Sequence, residues 1–218
     1  MNRKAIRLLL LVSVLTFLAT PVSATTTGTV LDLAFIAKKA GVIFAGTVDS
    51  VRYGMDPAGE TALTHVYFGN VVYAKGGPRP EALTLTLRGG KTAKDLSSVV
   101  GQPTFESTKR YIVMAHADLG SAKNMYLPII GLDSGFFPLV PDSSSGVACV
   151  YDRAFRPVAR IKQRHIVVID RLARGPVYLP PYRDMGGESP IEILPPSQDP
   201  RTRVHEGDFL RALRDLGR

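Results

Sequence analysis

The chain has 218 residues, a single cysteine, no tryptophan and a formal charge of +8, of which three units belong to Arg3, Lys4 and Arg7. One cysteine rules out an internal disulfide, so stability has to come from packing. The charge is local: Arg153, Arg156, Arg160, Lys162, Arg164, Arg171 and Arg174 face one acid, Asp170, while the rest of the chain beyond residue 24 is close to balanced.

Residues 1–24 carry those first three cations, an apolar run from Leu8 to Leu18, and a small-residue ending at Val22-Ser23-Ala24. That is the pattern of a secretory signal peptide, with cleavage expected after Ala24. About 11 apolar residues fall short of the roughly 20 that a spanning helix needs, and no later segment approaches that length, so no membrane span is expected after cleavage. The expected location is outside the cytoplasm, periplasmic or secreted. Residues 25–218 suffice for one domain with a real core, or for a domain with an extension.

A helix is expected up to Ala40, capped by Thr29 and ended by Gly41, with Lys38 and Lys39 suiting its C-terminal dipole. From Val42 the period changes to two. Val42–Val51 reads as a strand that Gly46 lets bend, residues 54–60 as a turn, and Thr61–Tyr73 as a second strand. Leu83, Leu85 and Leu87 alternate with Thr84, Thr86 and Arg88, the cleanest half-buried strand in the chain. Leu96, Val99 and Val100 have helical spacing, so a helix is expected within 91–100. Arg110–Ala115, apolar on both faces, returns to strand, followed by Tyr126–Ile130 and Phe136–Val140, and Val147–Tyr151 is a candidate for one more.

Seven prolines between Pro176 and Pro200 argue against central strands there and for a segment that wraps the surface. Val204, Phe209, Leu213 and Leu216 then give one apolar stripe on a C-terminal helix. These readings divide the chain into a signal peptide at 1–24, a β-barrel domain at 25–160, and a basic, proline-rich extension with a terminal amphipathic helix at 161–218. The fold class is mainly β, and the order strand, strand, strand, helix, strand, strand is that of a five-stranded OB-like barrel.

The segments VIFAGTVDSV, VVYAKGG, ALTLTLRGG, FESTKRYIVM and YLPIIGLDSGFFPLV, in that order over residues 40–140, resemble exported bacterial proteins related to the netrin-like, metalloproteinase-inhibitor type of OB barrel. The resemblance implies the fold alone. Thr108 stands where that group has glycine, and the cysteines that chelate the protease zinc and staple the animal inhibitors have no counterpart here, so the inhibitory mechanism does not carry over.

Catalytic patterns find little support. Ser134 lies between Asp133 and Gly135, but Leu132 and Phe136 stand where a nucleophile elbow needs glycines, so GLDSGFFPLV reads as a turn leading into a strand. His65, His116, His165 and His205 lack metal-ligand spacing, and Gly89-Gly90-Lys91-Thr92 lacks the first glycine of a phosphate loop. Cys149 sits in an apolar run as a small hydrophobe. No cofactor or metal is expected. The cationic segment, Arg153 to Arg174, is the candidate binding surface, read either as a solvated face or as a dock for an anionic envelope polymer or acidic protein. Export disfavours nucleic acid. The expected function is an exported, non-enzymatic binding module; the alternatives are a hydrolase whose residues converge only in three dimensions and an accessory subunit of an envelope complex.

Overall fold

The computed structural model describes residues 32–76, 80–92, 96–119, 126–162, 165–169, 177–178, 191–194 and 203–218. The expected signal peptide, Thr29 and most of the proline-rich stretch lie outside them. In chain order the elements are α1 (Leu33–Lys39), β1 (Val42–Met55), β2 (Ala62–Lys75), β3 (Leu83–Arg88), β4 (Gly90–Lys91), β5 (Leu96–Ser97) and β6 (Arg110–Ala115). A 3-10 turn (Leu132–Gly135), β7 (Phe136–Pro141), β8 (Ala148–Val150), β9 (Val158–Lys162), β10 (His165–Ile169), β11 (Val177–Tyr178), β12 (Ile191–Leu194) and α2 (Glu206–Leu216) follow.

The protein is mainly β, with open sheets. The largest has six antiparallel strands in the order β3-β2-β1-β6-β7-β8, one more than expected. Alternation in β1 and β6 sends residues to two separate cores. Phe44, Val48, Tyr111 and Val113 join Val66, Phe68, Leu85, Leu87 and Phe136 on the concave side. Ile43, Ala45, Ile112 and Met114 join Phe137, Leu139, both helices and β9–β10 on the other. Gly46 marks a register shift in β1, where a Cβ would come within 3.1 Å of the Phe68 ring. The extra residue of that irregularity lies on β2, where Asn70 and Val71 oppose Gly46, and the absent side chain makes room for Phe68.

The concave side is filled by rings. Phe105 meets Phe68, Tyr111 and Phe136 edge-on at 5.2–5.6 Å, and Tyr111 stacks on Phe136 at 4.9 Å. Each such pair adds about 0.5–1.5 kcal/mol beyond its buried area.

Four expectations are corrected. Asp32, whose Oδ1 accepts from Ala34 N at 2.7 Å and Phe35 N at 3.4 Å, caps α1. No helix forms within the described part of 91–100: β4 and β5 pair as a narrow hairpin, with Leu96 and Val100 exposed. Gly89 and Gly90, both at positive φ, turn the chain back so closely that a Cβ on Gly89 would lie 2.8 Å from Ser97 O. The apolar spacing there had no core to face. Tyr126–Ile130 yields only a bridge, Ala115 to Ile129, because Tyr126 takes a left-handed backbone and Pro128 has no N–H.

The fourth correction is a central strand in the proline-rich stretch. β12 lies inside a second sheet, ordered β11-β12-β10-β9, and pairs parallel to β10. Its prolines, Pro190 and Pro195, flank the strand and leave its own N–H groups for the ladder. The cationic segment itself builds β9 and β10, which no sequence expectation assigned; β9 spans residue 160, where composition drew a boundary. Val204 joins the two sheets: its carbonyl accepts from Val150 N at 2.9 Å, and its N–H donates to Val158 O at 3.0 Å.

Helix α2 follows at once and docks as its stripe requires. Phe209 and Leu213 are fully buried, and the Phe209 ring lies 4.8 Å from that of Phe137. Arg110 holds the helix start, donating to Glu206 at 2.9 and 2.6 Å while also reaching Asn70 O and Thr47 Oγ1.

Three outcomes follow for stability. Leu85, with no exposed surface, should not tolerate charge: Leu85→Asp is expected to cost about 4 kcal/mol or more in a urea titration. Phe209→Ala should cost about 3–5 kcal/mol, and truncation at Gly207 should lower the melting temperature and increase binding of an apolar dye.

Candidate binding site

The cationic segment begins as β8 ends. Asp152, with 2% of its side chain exposed, accepts through Oδ2 from Arg156 Nε and Nη2 at 2.8 and 2.6 Å, and through Oδ1 from the backbone N of Ala154 and Arg156. Arg156 is therefore a structural cation that closes the turn 152–156. Arg153, one residue past the buried carboxylate, points the other way and meets Asp133 at 2.6 Å, with 35% and 29% of the two side chains exposed. Arg160 is exposed on β9, and Lys162 is half-buried and engaged in further contacts. Arg164, Arg171 and Arg174 lie outside the described residues. Arg153 and Arg156 are thus matched by the protein's own acids.

Arg153 and Asp133 stand on the rim of a cleft of about 410 Å³, whose walls include Pro103, Glu106, Phe136 and Phe155. Gln102 lines this cleft and a second of about 230 Å³ at the far end of the ring cluster. Its Nε2 donates to Arg88 O at 2.9 Å, while its buried Oε1 has no partner among the described residues. Around the smaller cleft stand Tyr53 and Leu96, 55% and 78% exposed. Tyr111 reaches the larger cleft with its hydroxyl accepting from Glu106 N at 3.2 Å, and burial pushes its pKa up, so it stays a neutral phenol.

Residues scattered in sequence do not assemble into a catalytic set among the described residues. Ser134 sits in the 3-10 turn with its N–H on Gly131 O, so the reading of that stretch as a turn leading into a strand agrees with the fold. His65 Nδ1 lies 3.1 Å from Thr86 Oγ1 across β2 and β3, and His165 is buried in β10. The pair that sequence spacing missed is Cys149 and His205, whose Sγ and Nδ1 are 3.8 Å apart. They are 56 residues apart and meet only because residues 203–205 run beside β8, so no local motif announces them. Burial, then the nearby Asp142 charge, raises the Cys149 pKa, the opposite of what an activated thiolate requires. Among the described residues no group of three or more His, Cys, Asp or Glu is placed to hold a metal, and no helix is long and apolar enough to cross a membrane.

Comparisons of this chain with protein-family models, with curated protein sequences and with solved structures found no match.

The clamp and the thiol each give an outcome. Asp152→Ala removes the buried carboxylate on which four hydrogen bonds of this turn end and should cost about 3–5 kcal/mol, read as a lower denaturation midpoint with unchanged slope. Cys149 should react with a disulfide reagent at pH 8 far more slowly in the native protein than in urea. Its folded pKa is raised, so its contribution to stability is present below the unfolded thiol pKa and is lost as pH rises through the folded one.

Proposed function

We propose that this chain is an exported, non-enzymatic binding module on an OB-like, netrin-like barrel, and that its partner presents anionic groups, as an envelope polymer does. The observation that carries this reading is that the concave side of the main sheet is filled by packed rings, while a charged turn and an exposed cation stand outside it on the β8–β9 side. A filled interior leaves the surface to make contact with a partner.

The barrel reading is supported by strand order. β6 lies beside β1 after three consecutive antiparallel strands, giving the Greek-key order β6-β1-β2-β3, which is the connectivity class of OB barrels. At the open side Arg88 N donates to Tyr126 O at 2.8 Å, drawing the edge strand β3 toward the segment that leads into β7. The anionic-partner reading is narrower than composition alone implied. Arg156 is committed to the fold and Lys162 is engaged in contacts of its own, so Arg160, exposed on β9, with Arg164 four residues on in sequence, is the cation assigned to the partner, and Arg153 serves the neighbouring cleft. A hydrolase is less well supported, because Ser134 and the histidines are not among the residues lining the 410 Å³ cleft, and the one thiol near a histidine is held protonated.

The test changes Arg160 and Arg164 together to Ser. Retention of the protein on a sulfated anionic resin at low salt should fall well below wild type, with the melting temperature unchanged, and wild-type retention should itself weaken steeply toward physiological ionic strength. Equal retention of variant and wild type would refute the assignment.

A further inference from the structure

The turn 152–156 is fixed more firmly than its length demands. Four hydrogen bonds end on the Asp152 carboxylate, and the backbone is closed twice, by Phe155 N to Asp152 O and Asp152 N to Arg156 O, both at 2.9 Å. What this framework presents is Phe155. Its backbone is left-handed, φ 56°, and its side chain is largely in solvent, the residue being 63% exposed. A bulky aromatic in that region is strained, and such strain persists only where the surroundings over-determine it, most often at binding sites. Packing does not account for it either, since the ring is not buried.

Phe155 stands at the rim of the 410 Å³ cleft beside the Arg153–Asp133 pair, with Pro103 and Phe136 in its walls; the volume is within the range of small-ligand sites. The polar groups narrow the ligand class. A compact anion would face Glu106 and have to draw Arg153 off Asp133; a cation would face Arg153. A neutral polyhydroxyl compound needs neither. Each hydroxyl both donates and accepts, so adjacent hydroxyls can donate to the Asp133 carboxylate and accept from the Arg153 guanidinium without breaking the pair. The apolar C–H face of a pyranose ring matches an exposed aromatic face.

We propose that this cleft seats a sugar ring, with Phe155 as its platform and Asp133 and Arg153 as its hydroxyl clamp. The inference rests on the reading of the partner as an envelope polymer and deepens it: β9 would meet the charges of such a polymer and the cleft its carbohydrate.

The full chain is titrated by calorimetry with neutral oligomers of glucose and of N-acetylglucosamine, chosen because they carry no charge for β9 to attract. Saturable binding to at least one series is expected. Phe155→Ala should weaken it by about tenfold or more, Phe155→Trp should retain it, and Phe155→Gly should lose it while melting at or above the wild-type temperature, since glycine relieves the left-handed strain. That combination separates a binding role from a structural one. Absence of saturable binding to every neutral oligomer, or equal affinity in Phe155→Ala, overturns the proposal. Retention on the anionic resin is measured in parallel: if it depends on Arg160 and Arg164 while sugars fail to bind, the cleft assignment falls and the anionic-partner reading stands, with an acidic protein as its partner. If both fail, both fall.

Discussion

In two adjacent strands, Val42–Ala45 of β1 and Tyr111–Ala115 of β6 are buried on both faces, and the rest of the molecule is arranged to cover them. Antiparallel sheets commonly leave one face in water, but Ile43, Phe44, Ile112 and Val113 are all fully buried, so this sheet needs two covers. On the concave side the cover is its own curvature and the ring cluster around Phe105. On the convex side it is assembled from distant pieces: α1, α2 and the β9–β10 hairpin, all contributing to one apolar cluster. Arg110 begins β6 at the seam of these parts and ties α2, the β2 bulge at Asn70 and β1 together through one guanidinium.

This division places the functional groups. Because both faces of the central strands are consumed by packing, the side chains free to meet a partner belong to turns and to the outer strands. The 152–156 turn shows how adjacent residues share that work. Asp152 and Arg156 point inward and make the loop rigid; Arg153 and Phe155, between them, point outward and owe their positions to that rigidity. Preorganised geometry of this kind lowers the ordering cost of recognition.

The strands that alternate were legible in sequence because their period reports burial directly: Leu83, Leu85 and Leu87 behave as read, as do Phe209 and Leu213 in α2. The helix expected within 91–100 fails for a physical reason. Leu96 and Val100 have helical spacing but no surface to pack on, and the conformations of Gly89 and Gly90 decide the local path instead. β9 and β10 were hidden by charge: Arg160 and Lys162 made a basic surface segment of what is, on its buried side, a strand with Val158, and β10 is an unbroken apolar run that its cationic neighbours overshadowed. β12 was hidden by prolines that bracket it. Within the site, clustered cations were visible, but which of them the fold would claim was not, because Asp133 and Asp152 reach their partners through turn geometry that has no periodic signature.

The way Val204 and α2 complete the outer core also bears on how the chain comes into being. Arg110 and Glu206 are 96 positions apart, so at ordinary rates of synthesis, about 5–20 residues per second, β6 waits about 5–20 s for the helix that will cover it. Throughout that interval the convex face of the main sheet, with Ile43, Ile112 and Phe137, has no lid. A nascent chain in this condition exposes the kind of apolar surface that holding chaperones bind. The last strut of the outer core thus arrives late, and the convex face stays uncovered until Glu206 and the helix that it begins have been made.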